Sequence, residues 1–183
     1  GWIAKMREHP GKYNFASTGV GSMSHLSVEI LKLETNSHAV HLPYSSSPNA
    51  ILAVMQGDVQ FACVPPVAVM PQAKAGKVKA LAVTTAKRSA LTPDLPTLKE
   101  SGFPDIQALA WMAIMAPAGT PPEIIKRMNT EIVAILKEPE TQQKLAVAYM
   151  ESIASTPEEL SQWMLEERAR WAPVIKHVGL KAN

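Results

Sequence analysis

The run STGVGS at residues 17–22 combines hydroxyl side chains with glycines, between a predicted strand and a predicted helix. Glycines such as Gly21 permit a tight turn and a close approach of the backbone to a ligand. A helix start presents unpaired N–H groups and the positive end of its dipole, and Ser17, Thr18 and Ser22 add hydroxyl donors. The loop is therefore predicted to bind a carboxylate or a phosphate. The alternative is an ordinary strand-to-helix turn with a serine cap.

Three serines, Ser45, Ser46 and Ser47, follow the next predicted strand. Because the carboxyl ends of parallel strands meet at one edge of a sheet, we expect this loop to lie beside residues 17–22. Two hydroxyl-rich helix starts side by side favour an anion site. The alternative is a helix cap with solvated serines, in which Ser47 is the N-cap and Pro48 the first helical residue.

The histidines and the cysteine near these loops do not suggest a metal site. His25, just inside the first helix after the glycine loop, could either donate to a bound anion or hold the loop. His38 and His41 are accompanied by no carboxylate cluster, so no metal ligation is predicted. Cys63 ends a predicted buried strand and is expected to be a small core residue.

Motifs for catalysis and for cofactor binding do not appear in the sequence. Residues 19–23 read GVGSM, which is out of register with the Gly-x-Ser-x-Gly nucleophile motif. Neither the Walker A loop nor the dinucleotide-binding glycine spacing is present. No pair of side chains suggests acid/base catalysis. We therefore predict no catalytic residue and no cofactor.

Composition indicates a globular chain. Of 183 residues, 46% are hydrophobic and 19% are charged, and the net charge is +2 with both signs interspersed. This pattern provides no basic footprint for nucleic acid, and no apolar run approaches the ~20 residues of a membrane span. The single cysteine excludes an intramolecular disulfide framework.

The N-terminal residues resemble the end of an amphipathic helix that stops at the HPG sequence of residues 9–11. They have no apolar core and no cleavage site of the kind that a signal peptide needs. Because the chain starts in the middle of a predicted helix, we expect an upstream part of the protein to precede it.

Strands and helices alternate about every 20 residues in the first half of the chain, which predicts βαβ units and a parallel sheet. The predicted strands cover residues 13–17, 39–44, 59–64 and 78–84, and the predicted helices 24–35, 48–56 and 67–75. In the second half we predict a long apolar strand over 108–116, a short strand over 151–154, and helices over 97–101, 122–137, 140–148 and 157–178. Thr120 is expected to cap the helix over 122–137, and Thr156 with Glu159 is expected to form a capping box.

The chain resembles the extracytoplasmic solute receptors of tripartite tricarboxylate transporters, the TctC or Bug family. The order and spacing of short motifs agree along nearly the whole chain. The matching stretches are residues 10–17, 19–22 with 25–26, 41–44, 48–50, 57–59, 74–84, 93–97, 111 and 116–121.

This resemblance implies an α/β, type II periplasmic-binding-protein-like fold, with two lobes and a ligand cleft. Residues 1–12 would end an inter-lobe helix, and residues 13–110 would form a parallel-sheet lobe with helices on both faces. Residues 111–183 would return to an incomplete first lobe, and apolar faces left open there could allow a homo-oligomer to form. The implied protein is periplasmic, with its signal peptide upstream, and is not an enzyme.

In this family the cleft holds small carboxylates through backbone amides, hydroxyls and waters. The resemblance places ligand contacts on Ser17, Thr18, Gly21, Ser22 and His25, and on the loop of Ser45 and Ser46. The implied partners are a small organic carboxylate, such as a dicarboxylate, an amino acid or an aromatic acid, and the membrane permease subunits of a tripartite tricarboxylate transporter.

The sequence departs from the family at two places in the predicted cleft. Ser45 and Ser46 stand where relatives usually have Lys-Gly, and residues 63–66, CVPP, are apolar where relatives often have polar side chains. A larger and less charged acid therefore becomes conceivable as the ligand.

Two other classes of function stay open from the residues alone. One is a small α/β enzyme that uses residues 19–22 to hold a phosphorylated substrate. The other is a ligand-sensing regulatory domain, as when such lobes follow a DNA-binding helix-turn-helix. A signal peptide upstream would indicate the receptor, and a helix-turn-helix upstream would indicate the regulator.

Overall fold

A computed structural model describes residues 1–103 and 106–180 of the chain. These residues form two compact units. The first comprises Gly1–Ala110 together with the described residues from Val174 onward, and the second comprises Trp111–Pro173. The assignment of residues 1–12, 13–110 and 111–183 to parts of a two-lobed receptor stays a prediction, and its last three residues lie outside the described part.

The described elements alternate in the first unit and are helical in the second, which makes the chain a mixed α/β protein as predicted. In the first unit they are α1 (Trp2–Glu8), β1 (Asn14–Ser17), α2 (Met23–Thr35), β2 (Val40–Pro43), α3 (Ser47–Gln56), β3 (Phe61–Ala62) and α4 (Pro66–Lys74). The later helices are α5 (Pro122–Lys137), α6 (Pro139–Val147) and α7 (Pro157–Val178). The residues of α7 after Pro173 are assigned to the first unit.

The three strands form one parallel sheet in the order β2-β1-β3. In register, Phe15 of β1 is opposite His41 of β2 and opposite Phe61 of β3. Because side chains alternate along a strand, Phe15 and Ala16 point to opposite faces of the sheet. Phe15 packs with Met6 and Val28, and Ala16 packs with α3. Helices therefore cover both faces of the central strand, as predicted.

The first helices begin and end where local chemistry satisfies their free backbone groups. Ser22 caps α2, accepting a hydrogen bond from the backbone N–H of His25, and Asn36 ends it in the left-handed conformation. Ser46 caps α3 through the N–H of Asn49. The prediction of Ser47 as that cap is wrong by one residue, because Ser47 already lies within the helix.

Three strand predictions and one helix prediction are wrong. Among the described residues, 108–116 and 151–154 contain no strand, and residues 78–84 contribute only the isolated bridge from Val83 to Thr97. Residues 97–101 form a hydrogen-bonded turn instead of a helix. An apolar run becomes a strand only where a neighbouring strand accepts its backbone hydrogen bonds. Here Ala108 donates a single bond to Thr84, and no ladder follows it.

The predicted starts of the later helices are confirmed in one case and corrected in the other. Thr156 and Glu159 form the predicted capping box at α7, with bonds of 2.8 Å from Thr156 N to Glu159 Oε2 and 3.1 Å from Glu159 N to Thr156 Oγ1. The cap of α5 is Pro121 instead of Thr120. The Thr120 hydroxyl donates to the carbonyl oxygen of Pro117, because that oxygen lies within the preceding turn.

Candidate functional site

The predicted anion-binding loops do emerge at one edge of the sheet. Ser17 of β1 is in register with Pro43 of β2, so residues 18–22 and 44–46 leave neighbouring strands at their carboxyl ends. Ala16 is in register with Ala62 of β3, so the chain after β3 leaves at the same edge. In the order β2-β1-β3, the segment that follows β1 and the segment that follows β3 lead away from each other, which leaves a crevice between them. Open α/β sheets bind ligands at such a crevice.

Ser17 lies beneath this edge and is not exposed at all. Its hydroxyl oxygen is 2.6 Å from Nε2 of His41 and accepts a 3.1 Å bond from the Gly19 backbone N–H. A buried hydroxyl held by these partners positions the loop backbone. Its direct contact with the ligand stays a prediction.

A cluster of three hydroxyls closes the glycine loop. Ser24 Oγ accepts a 2.8 Å bond from the Thr18 backbone N–H and lies 2.8 Å from Thr18 Oγ1 and 2.9 Å from Ser22 Oγ. Ser22 Oγ also donates to the Gly19 carbonyl oxygen at 2.7 Å. Each hydroxyl therefore has a protein partner already, and together they fix the turn that leads into α2.

The backbone of the loop still has donors to offer. Gly19 and Gly21 have φ values of +125° and +77°, which residues with a Cβ rarely adopt. Among the hydrogen bonds of the described residues, none uses the backbone N–H of Val20, Met23 or Ser24. These three donors lie at the positive end of the α2 dipole, so the loop can bind an anion mainly through its backbone.

His25 contributes to the loop as an acceptor. Its Nδ1 accepts a 3.2 Å bond from the Gly21 N–H, and its Nε2 is 3.6 Å from the Glu29 carboxylate. Of the two roles that the sequence left open for His25, the observed bond is the one that holds the loop. Burial lowers the pKa of His25, and Glu29 opposes that effect only in part.

His41 stacks directly on His25, with ring centroids 3.8 Å apart and planes inclined by 14°. The Phe15 ring lies 4.9 Å from the His41 ring and 6.1 Å from the His25 ring. Burial, followed by the neighbouring His25, lowers the pKa of His41 to about 4. Both rings are therefore neutral near pH 7 and form an aromatic layer under the loop.

The second predicted loop is a helix cap with one ordered, exposed hydroxyl. Ser46 Oγ accepts from the Asn49 backbone N–H at 3.3 Å, and Ser45 Oγ accepts from Asn49 Nδ2 at 2.9 Å. Ser45 and Asn49 are both exposed. This geometry agrees with the cap that the sequence analysis weighed as the alternative, and it also leaves Ser45 able to donate its proton to a ligand.

Sequence patterns alone did not point to Ser24, His41 or Asn49. A register between the first two predicted strands would have put His41 beside Phe15, on the face that α2 covers. Ser24 carried a weaker signal, since a hydroxyl two residues after a cap serine can bond back into the turn. Tertiary packing decides both contacts, and Asn49 had no signal beyond its place in the first turn of α3.

The remaining features considered from the sequence are a metal site, the role of Cys63 and a membrane-spanning helix. Within residues 1–103 and 106–180, no three His, Cys, Asp or Glu side chains come together as a metal site. Cys63 is half-buried and packs against the core around Phe15, and burial raises the pKa of its thiol. No described helix has both the length and the apolar character needed to cross a membrane.

A comparison with protein families matches residues 1–180 to the family described as "Tripartite tricarboxylate transporter family receptor". Among curated proteins, Protein BugT of Bordetella pertussis is 32% identical over 179 residues, which cover 98% of this chain and 55% of BugT. The chain thus spans about half the length of this relative.

Two solved structures with a bound acid have the same fold over most of the chain. Rpa4515 of R. palustris, solved with adipate, is 32% identical with a TM-score of 0.87 and covers 97% of this chain and 60% of its own. MatC (Rpa3494) from Rhodopseudomonas palustris, solved with bound malate, is 29% identical with a TM-score of 0.79. That match covers 95% of this chain and 60% of MatC.

Proposed function

The chain belongs to the receptor family of tripartite tricarboxylate transporters, and we propose that it is part of a periplasmic solute-binding protein that captures a small carboxylate. Membership confirms the resemblance drawn from the sequence motifs. Because the members of this family are receptors, membership also confirms the prediction that the chain is not an enzyme. The ligand, the permease partner and the periplasmic location of the whole protein are part of the proposal.

The observation that carries this proposal is the set of free backbone donors at the glycine loop. A carboxylate placed at Val20, Met23 and Ser24 would replace water by N–H groups that are already oriented. Hydrogen bonds to a charged group contribute roughly 1.5–3 kcal/mol each. In the whole receptor, we propose that a second lobe closes over the acid and that the closed form is presented to a membrane permease.

The surroundings of the loop favour an acid with an apolar body. Half-buried Val64 and exposed Pro65 follow β3, across the crevice from the glycine loop, and neither side chain can donate a hydrogen bond. The neighbouring loop has Ser45 and Ser46 and no cation. Rpa4515 was solved with adipate, an acid with a hydrocarbon chain between its carboxylates. We therefore propose adipate-like acids ahead of hydroxylated acids such as malate.

Thermal denaturation of the whole receptor with adipate, malate, an amino acid and an aromatic acid tests this function. An acid at about 100 times its Kd should stabilise the protein by about 2.7 kcal/mol. Replacing the cap by Ser22→Ala should weaken binding about 10-fold or more, because the loop that presents the N–H donors loses its hydroxyl partner. Ser47→Ala, at the first residue of α3, is the control and should bind normally.

Two results would contradict the proposal. No stabilisation by any acid, together with stabilisation by phosphorylated compounds, would support the phosphate-binding enzyme instead. Equal weakening of acid binding by Ser22→Ala and Ser47→Ala would show that the binding site is not at the glycine loop.

A further inference from the structure

Two stacked histidines connect the glycine loop to the sheet below it. His41 is on β2 and reaches the loop through Ser17, and His25 is on α2 and reaches it through the Gly21 N–H. Their ring centroids are 3.8 Å apart, and only 4% of His25 is exposed. The pair therefore holds the loop at both of its ends, before Thr18 and at Gly21.

The hydrogen bonds define which proton His25 carries. A backbone N–H can only donate, so Nδ1 of His25 must be the unprotonated nitrogen that accepts from Gly21. The ring proton is then on Nε2, which faces the Glu29 carboxylate at 3.6 Å. A second proton on the ring would occupy Nδ1, and it would leave the Gly21 N–H without its acceptor.

The charges around the pair come from one helix. Glu29 and Lys32 of α2 act on both rings and form an ion pair of 2.7 Å with each other. The groups that the described strands present to the rings are uncharged, namely Phe15 and Ser17 of β1. The Cys63 thiol, beyond β3, is kept neutral because burial raises its pKa. A protonated ring would thus have Glu29 as its one counter-charge in the described chain, and Lys32 already occupies that carboxylate.

We propose that His25 and His41 are positioning residues that keep the glycine loop ready for its ligand only while both rings are neutral. This inference rests on the proposed function, since the loop is the proposed carboxylate site. Acidification would then break the Gly21 bond, place a cation against a ring 3.8 Å away, and release the loop. By linkage, ligand binding begins to weaken as the pH falls below about 6.5, the ordinary pKa that a histidine regains when the loop opens. The loss is complete only below the lowered pKa values that the two rings have in the closed loop.

Amide hydrogen exchange of the 183-residue chain tests the positioning role without a ligand. Peptides that cover residues 16–24 are compared with peptides from α3 at about pH 7.5 and about pH 5, after correction for intrinsic exchange. In the wild type, the loop should exchange about three- to tenfold faster at the lower pH, the factor expected for losing one hydrogen bond, while α3 is unchanged.

Two substitutions of His25 separate positioning from simple packing. In His25→Asn the amide oxygen can replace Nδ1 as the acceptor and has no proton to gain, so the loop should stay protected at both pH values. His25→Leu removes the acceptor, so the loop should exchange fast at both. His38→Asn, an exposed histidine just before β2, is the matched control and should keep the wild-type pH dependence.

Either of two results would overturn the inference. One is a His25→Asn variant that keeps the wild-type pH dependence, and this result decides the matter even if His25→Leu fails to fold. The other is a wild-type loop whose protection does not change with pH. Titration of the wild type with adipate and malate runs separately, so failure to bind either acid would count against the proposed function and not against the positioning role.

Discussion

Helices α2 and α5 are similar in length but differ in what they bury. α2 has 13 residues and seven of them are buried, including Leu26, Val28 and Ile30. α5 has 16 residues and buries none, and its Ile124, Met128 and Ile135 are 47%, 53% and 51% exposed. The first unit therefore has its own core, whereas the second presents an amphipathic helix whose apolar side is largely in water.

This difference indicates where the stability of the chain comes from. Hydrophobic stabilisation is proportional to the apolar area removed from water, so the sheet and its covering helices must supply most of it. The functional loop is built on that stable unit, with Ser17 and His25 buried beneath it. A binding loop on a rigid scaffold retains the geometry that its ligand needs.

Core truncation should show the largest effect of this contrast. Phe15→Ala removes a fully buried ring that packs with Met6, Val28 and the stacked histidines, and we expect a loss of about 3–5 kcal/mol. Met128→Ala, on the exposed side of α5, should change stability by no more than about 0.5 kcal/mol. Urea denaturation followed by circular dichroism measures both. Equal losses would show that α5 is buried in solution and would remove the contrast between the units.

Substitutions of the helix caps should lower the free energy of unfolding by different amounts in the two units, with a smaller difference than core truncation gives. Ser22→Ala removes a half-buried hydroxyl that contacts both the Gly19 carbonyl oxygen and Ser24, so we expect a loss of about 1–2 kcal/mol. Thr156→Ala breaks an exposed capping box at α7 where water can replace the hydroxyl, so about 0.5–1 kcal/mol is expected. Urea denaturation of the two variants, monitored by hydrogen exchange in each unit, makes the comparison. A larger loss for Thr156→Ala would reverse the ranking.

The first unit was also the more predictable one from the sequence. Alternating apolar patterns, a serine cap and a terminating glycine located β1, α2, β2 and α3 to within a few residues, because these signals are local. The strand predicted over residues 108–116 was wrong because an apolar run does not reveal whether a partner strand exists. The predicted loops at residues 17–22 and 45–46 were placed at the correct sheet edge. The contact between His25 and His41 could not be predicted from the sequence, since it joins a helix to a strand through tertiary packing.

Surface charge at residues 111–115 should show the smallest effect on folding. Met112 and Ile114 are 78% and 71% exposed, so Ile114→Lys removes almost no buried area and should change the free energy of unfolding by about 0.5 kcal/mol or less. The same variant tests the predicted homo-oligomer, because an added charge opposes burial of the exposed apolar side chains of residues 111–115 against a second copy of the chain.

Sedimentation of the wild type and of Ile114→Lys, together with urea denaturation, gives both answers. We expect the wild type to self-associate as its concentration rises and Ile114→Lys to remain monomeric, with closely similar unfolding curves at low concentration. Lys79→Glu, a charge change in the first unit, serves as the control and should leave self-association unchanged. A wild type that stays monomeric would contradict the homo-oligomer. A large loss of stability in Ile114→Lys would instead show that this segment is buried within the folded chain, and the second unit would then have a core of its own.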